Sequence, residues 1–283
     1  MQLTLFQWDL IEVGNGFDCL ARLACDQAEA HFVRVLSAQP GHLAATEGLR
    51  ATRHWRSLLR SLATGQTETA LTRFWQQVQH FSFPTTAAGQ ALRRALLRRL
   101  LVAMEQTGVT MVEPDLCTGY LHLLLGEHVE AEKQLRHLID TFPDRGLLYG
   151  YLADTLWQQG RREIANGVYA AALLLAPEAM AAHATLRNQG LKTLIAEHGA
   201  PLTPVHGFFL GVLPLVEPER EATTEAGRIY AMLHRAERAR QSRDFSTMAS
   251  ARRDLHQQAP DIFSQYLAWL QRDAEGETQQ RPD

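Results

Sequence analysis

Lysine is nearly absent from this chain: two lysines stand against 26 arginines among 283 residues, a compositional bias toward arginine. Cysteine is scarce as well. Cys19, Cys25 and Cys117 are odd in number and show no CxxC spacing, which argues against a disulfide framework or a thiolate zinc site and leaves buried free thiols as the expectation. Nowhere do about 18 apolar residues run without interruption, the minimum for a membrane-spanning helix, and the richest stretch, Val205 to Val216, is broken by Gly207, Gly211 and Pro214. No membrane span is expected. The twelve histidines are scattered, with no HExxH and no helical pair four apart beside an acid, so no metal is expected. GxSxG and GxxxxGK[ST] are missing too, and the nearest thing to a nucleotide turn is the single GxG of Gly14 to Gly16, a sequence more often a helix break. No cofactor is expected, and catalysis is not. The N-terminal MQLTLFQWDLIEV has acids at Asp9 and Glu12 and no basic leader, so the expected location is cytoplasmic.

What is present is a repeat. Hydrophobic residues make up 46% of the chain and charged residues 21%, enough apolar material for one long solenoid or two abutting domains. Gly126 recurs as Gly160, Ala131 as Ala165 and Pro143 as Pro177, each after 34 residues. A unit of that length holds two short helices and a turn, and it buries its apolar faces only by stacking on another copy. In the first unit, helix A is expected from about Val112 to Leu125, ending at Gly126 because glycine takes the left-handed cap cheaply. Helix B then runs through Ile139, with small Ala131 where the helices cross closest and Leu135 and Leu138 filling the groove. The second unit places Ala165, Tyr169 and Ala172 at the corresponding positions.

Gly119, Gly126, Ala131 and Pro143, followed by Gly160, Ala165, Tyr169, Ala172 and Pro177, resemble the signature of tetratricopeptide repeats over residues 112–177. Two departures are visible: Ala153 replaces the first glycine of the second copy, and Trp157 lies one place from the usual aromatic. The resemblance implies an all-α fold, a right-handed α-solenoid of helical hairpins. Degenerate copies are expected around Ala28, Phe32 and Pro40, around Gly65, Ala70 and Phe74, and between Phe245 and Pro260. The expected organisation is an N-terminal group of helices over 1–83, a hinge at Pro84 to Gln90, a central domain over 91–198 and a Pro-rich apolar loop over 199–222. A C-terminal helical pair or cap over 223–272 and a disordered tail over 273–283 complete it. Pro201, Pro204, Pro214 and Pro218 are expected to keep 199–218 irregular, either covering the end of the solenoid or folding over a groove.

In proteins similar to this one, the A helices line a concave groove that holds an extended peptide. The resemblance therefore implies a protein–protein interaction scaffold or adaptor. Helical spacing places Leu116, Tyr120 and Leu123 on one stripe of the first A helix and Leu147, Tyr151, Asp154 and Gln158 on that of the second, with Asn188 on the following helix as a hydrogen-bonding contact. A groove role and a core-packing role are both open for Tyr120 and Tyr151. The lysine, asparagine and arginine clamp by which some members hold acidic C-terminal tails is absent from these positions, which favours an apolar or mixed ligand. The alternative is a helical-solenoid enzyme or small-molecule binder with a pocket closed by 199–218, in which His206 or Asp154 could do proton work.

Charge marks a second surface. Residues 51–100 hold Arg53, Arg56, Arg60, Arg73, Arg93, Arg94, Arg98 and Arg99 against one acid, Glu68, a local balance of +7 in a chain whose net charge is −3. Arg53, Arg56, Arg60, Arg93, Arg94, Arg98 and Arg99 are candidate anion-binding residues for an acidic partner. Nucleic acid is not the expected partner, because no nucleic-acid module accompanies the charge. Neutralisation by the acidic remainder of the chain, or of another copy in a homo-oligomer, is an equal expectation.

Overall fold

A computed structural model describes residues 7–65, 67–183, 186–218 and 223–279. The described residues form fifteen helices and one two-stranded ribbon, and no helix among them is long and apolar enough to cross a membrane. Contacts gather into two compact units, Met1–Glu127 and His128–Asp283, a boundary that falls within the span 91–198.

The first unit contains α1 (Trp8–Ala21), α2 (Cys25–Ala38), α3 (Leu43–Gly65), α4 (Glu68–His80), α5 (Ala87–Thr107), the strands β1 (Met111–Glu113) and β2 (Leu116–Cys117), and α6 (Thr118–Leu125). Each helix from α1 to α6 packs on the next along the chain, α6 also meets β2, and α1 also packs on α3 and α5. The tightest point is Phe32 on α2, fully buried. A methyl added at Gly16 on α1 or at Gly48 on α3 would sit 2.6 or 2.4 Å from its ring, so two glycines on neighbouring helices make the slot that the phenyl group fills. Gly14 to Gly16 accordingly lie inside α1, neither breaking it nor forming a nucleotide turn. Trp55 on α3, also fully buried, packs edge-on against Phe81 at 5.1 Å and near Phe74 at 5.9 Å. Thr67 and Thr86 start α4 and α5 by accepting the backbone N–H groups of Ala70 and Gly89. The expected hinge at Pro84 to Gln90 is therefore half helix, since α5 begins at Ala87.

One sequence expectation fails in this unit. Helix A of the first repeat does not begin near Val112; β1 and β2 pair as an antiparallel ribbon, and α6 starts only at Thr118. Pro114 is the cause, because it pushes Glu113 into extended backbone and has no N–H for a helix. Cys117 then caps α6, its Sγ accepting the Tyr120 N–H at 3.4 Å.

The second unit contains α7 (His128–Thr141), α8 (Gly146–Gln158), α9 (Arg162–Leu175), α10 (Pro177–Ala181), α11 (Gln189–His198), α12 (Thr203–Phe209), α13 (Glu225–Gln241), α14 (Phe245–Gln258) and α15 (Pro260–Gln279). Helix α8 packs against α7, α9 and α10, and every residue from Leu148 to Leu156 is buried. A helix that is apolar on all sides has this fate. The 34-residue correspondence reappears as equal environment: Gly126 and Gly160 take φ of 79° and 80°, and Ala131 and Ala165, like Leu135 and Tyr169, are fully buried.

Two further expectations are corrected here. The Pro-rich stretch expected to be irregular over 199–222 contains α12, because Pro204 lies in the first helical turn, where no N–H is required. Val205 and Phe209 of α12 join Tyr230, Leu233 and Tyr266 in one apolar cluster. The extended run after it is held by Tyr230, whose hydroxyl accepts the Val216 N–H at 2.7 Å and donates to the Val216 carbonyl at 3.0 Å. Residues 219–222 of the expected loop lie outside the described residues. The tail expected to be disordered over 273–283 continues α15 through Gln279, and 280–283 lie outside the described residues.

Because Phe32 is clasped from both sides, its ring has nowhere to retreat. Gly48→Ala is expected to lower stability by about 1–3 kcal/mol, the range for overfilling a packed core, measured as a shift of the urea midpoint with unchanged denaturant slope.

Candidate functional site

The proposed groove residues are mostly inside the protein. Leu116, Tyr120, Leu123, Tyr151, Asp154 and Asn188 are buried, Leu147 is half-buried, and Gln158 alone of the set is exposed. In the first unit, Tyr120 meets the Trp75 ring edge-on at 6.1 Å. In the second, Tyr151 does the same with the His183 ring at 5.1 Å. Asn188 is occupied within the fold: its Oδ1 accepts the Leu191 N–H at 3.1 Å to start α11, and its Nδ2 donates to Asn166 at 3.0 Å.

Asp154 has no exposure at all, and its carboxylate is fully engaged. The Tyr169 hydroxyl donates to Oδ1, as does the Arg187 backbone N–H at 2.9 Å, and His183 Nε2 lies 2.7 Å from Oδ2. Burial, and next the Asp154 charge, push the Tyr169 phenol well above its ordinary pKa, which keeps it a donor. The arrangement ties α8, α9 and the segment entering α11 together. It is a structural clasp, and His206, whose ring stacks on His198 at 3.9 Å, is not among its hydrogen-bond partners. A lone acid in the apolar run LLYGYLADTLW was the legible sign of a buried, satisfied carboxylate. His183, 29 residues away, left no such sign.

The candidate arginines divide into two groups. Arg53 Nε donates to Glu29 at 2.9 Å; Arg56 pairs with Glu29 and, at 3.1 Å, with Asp26; Arg98 pairs with Glu127. Acids of α2 thus neutralise part of the α3 charge within the first unit. Arg60, Arg93, Arg94 and Arg99 carry no ion pair with the described residues. Hydrogen bonds from Arg53 and Arg56 hold the Glu29 carboxyl below the usual carboxylate range.

Sequence reasoning missed a concavity of the first unit. A cavity of about 820 Å³ opens in the first unit between α1, α3, the end of α4 and the start of α5. Phe17, Ala51, Phe81 and Leu92 supply apolar wall, and Asp18, Glu47, Arg50, His54 and His80 supply polar groups. The His54 ring stacks on Phe81 with the planes 15° apart, and burial lowers its pKa, which favours the neutral imidazole. The side chains of Asp18, Glu47 and Arg50 make no hydrogen bond or ion pair with the described residues, so their polar atoms are available to a ligand. Only the spacing of α3 hinted at this site, since Glu47, Arg50, Ala51 and His54 recur at intervals of three and four along one helix face. Comparison of the chain with protein-family models, curated proteins and solved structures returned no match.

Two measurements check this account. Asp154→Ala strands the buried Tyr169, His183 and Arg187 donors and is expected to cost about 1–3 kcal/mol or more, the range for leaving buried hydrogen-bonding groups unsatisfied, whereas Gln158→Ala on the exposed end of α8 stays within about 0.5 kcal/mol; urea denaturation of the two variants separates them. For Glu29, a depressed folded pKa means that its contribution is complete above the unfolded carboxylate pKa and is lost as pH falls through the folded value. The stability of Glu29→Gln should therefore lie below that of the parent at neutral pH and approach it in acid. Parallel stability curves across that window would remove the assignment.

Proposed function

We propose that this chain is a non-catalytic adaptor, a right-handed tetratricopeptide-like solenoid whose N-terminal unit takes a segment of a partner protein into the cavity between α1, α3, α4 and α5. The observation that carries the reading is that cavity: about 820 Å³, walled by Phe17, Phe81 and Leu92, with Asp18, Glu47 and Arg50 unengaged beside it. Its size lies within the range of about 300–1,000 Å³ typical of ligand sites, and an apolar wall with a few convergent polar groups is the usual design of such sites. An aromatic or long aliphatic side chain anchored among Phe17, Phe81 and Leu92 would supply affinity by burial, and backbone groups of the segment would meet Asp18, Glu47 and Arg50. This placement moves the partner contact from the A-helix stripe, where Tyr151 and Asp154 are committed to the core, to the N-terminal unit. Of the stripe, Leu147 and Gln158 keep exposed surface for a secondary contact.

A second reading has its own support in the same volume, which also suits a small molecule. The two are separated by what remains bound after purification: native mass spectrometry of the intact chain shows an added small mass in the second case and none in the first.

Ala51 and Ala88 line the cavity and can be enlarged without removing a core contact. Ala51→Trp and Ala88→Trp are expected to reduce partner capture from a native extract at least tenfold, quantified by mass spectrometry against the parent chain, with circular dichroism unchanged. Capture that survives in the folded variants would exclude this cavity.

A further inference from the structure

A second concavity, of about 550 Å³, lies elsewhere on the first unit, where the start of α2 faces α3 and α5. Three arginines line it: Arg56 and Arg60, one turn apart on α3, and Arg99 on α5. The lining residues Ala24, Cys25, Asp26 and Gln27 are the first turn of α2. That turn is uncapped, because Ala24 at the N-cap has no side-chain oxygen, and the N–H groups of Asp26 and Gln27 find no acceptor among the described residues. Arg56 is fixed in place by Asp26 and Glu29 and by its donation to the Cys25 carbonyl at 3.0 Å, yet its Nε is buried without a hydrogen-bond partner. The guanidinium groups of Arg60 and Arg99 make no hydrogen bond or ion pair with the described residues.

We propose that this concavity is a phosphate-binding site, in which Arg60 and Arg99 grip the anion, Arg56 orders its wall, and the open amides at the start of α2 face its oxygens. Three guanidinium groups and one carboxylate, Asp26, leave the lining with a surplus of two positive charges, and the start of a helix adds to it. Guanidinium forks match phosphate oxygens in pairs, which favours a dianionic tetrahedral group over an isolated halide. The neighbouring Cys25 thiol is kept protonated by burial and adds no negative charge. Asp26 is the opposing term: its side chain is 89% exposed and sits at the rim of the same turn. The source of the phosphate is either the free ion or the ester group of a small molecule, and the site chemistry is common to both.

The test is titration of the full chain by isothermal calorimetry at constant ionic strength, with inorganic phosphate in one arm, phenyl phosphate in the second and sodium chloride as the reference. Saturable one-to-one binding in either phosphate arm is expected, tighter for the ester if an ester is the natural source. The double variant Arg60→Gln, Arg99→Gln should lose at least tenfold in affinity, and both side chains are free of ion pairs, so its fold is expected to persist. Asp26→Asn removes the opposing charge and should bind several-fold more tightly, a gain that damage to the fold would not produce. Ala51→Trp fills the other cavity and should leave phosphate binding intact, which keeps this site separate from the adaptor reading. Absence of saturation, equal affinity in the double variant, or weaker binding by Asp26→Asn would overturn the assignment.

Discussion

Close approach between consecutive helices is the constraint on which both units rest, and it is met wherever the chain puts a residue with little or no side chain at the crossing. In the first unit, Gly16 and Gly48 open the slot that the Phe32 ring fills. In the second, Ala131 and Ala165 occupy corresponding positions 34 residues apart, both without exposure. Dispersion falls steeply with separation, so a gap of even one methyl group at these crossings removes contacts on both sides.

The same close packing decides where a ligand can and cannot go. Helix α8 is pressed by α7, α9 and α10, so its residues from Leu148 to Leu156 have no face left for a partner. Its single carboxylate, Asp154, survives in that interior only because Tyr169, His183 and the Arg187 amide satisfy it. In the first unit the helices leave space. The cavity beside Phe17 and Phe81 and the arginine-lined concavity at the start of α2 are separate voids with different chemistry, one largely apolar and one positive.

Much of the helical plan was legible in the residues. Gly126 and Gly160 end helices in the left-handed conformation that only glycine reaches cheaply, and Ala131, Leu135, Ala165 and Tyr169 lie on buried faces as their spacing required. The reading failed where proline was judged by presence alone. Pro114 broke a helix expected to begin near Val112, whereas Pro204 sits in the first turn of a helix within a stretch expected to have none. Position within the turn, which sets whether an N–H is needed, decided both outcomes. The candidate groove suffered from a related gap: periodicity assigns residues to a helix face but does not say how many neighbours that helix will have.

Composition and spacing by themselves determined that the chain is helical, that helices end at Gly126 and Gly160, that arginine concentrates in residues 51–100 and that none of its runs is apolar enough to cross a membrane. These follow from local rules, acting within one or two turns. Tertiary structure alone decided that Tyr169, His183 and the Arg187 amide satisfy Asp154, that Glu29 and Asp26 neutralise Arg56 while Arg60 and Arg99 stay unpaired, and that a cavity opens beside Ala51. Burial, ion pairing and voids depend on groups brought together from distant parts of the chain, and no pattern within a single helix records which partner will arrive.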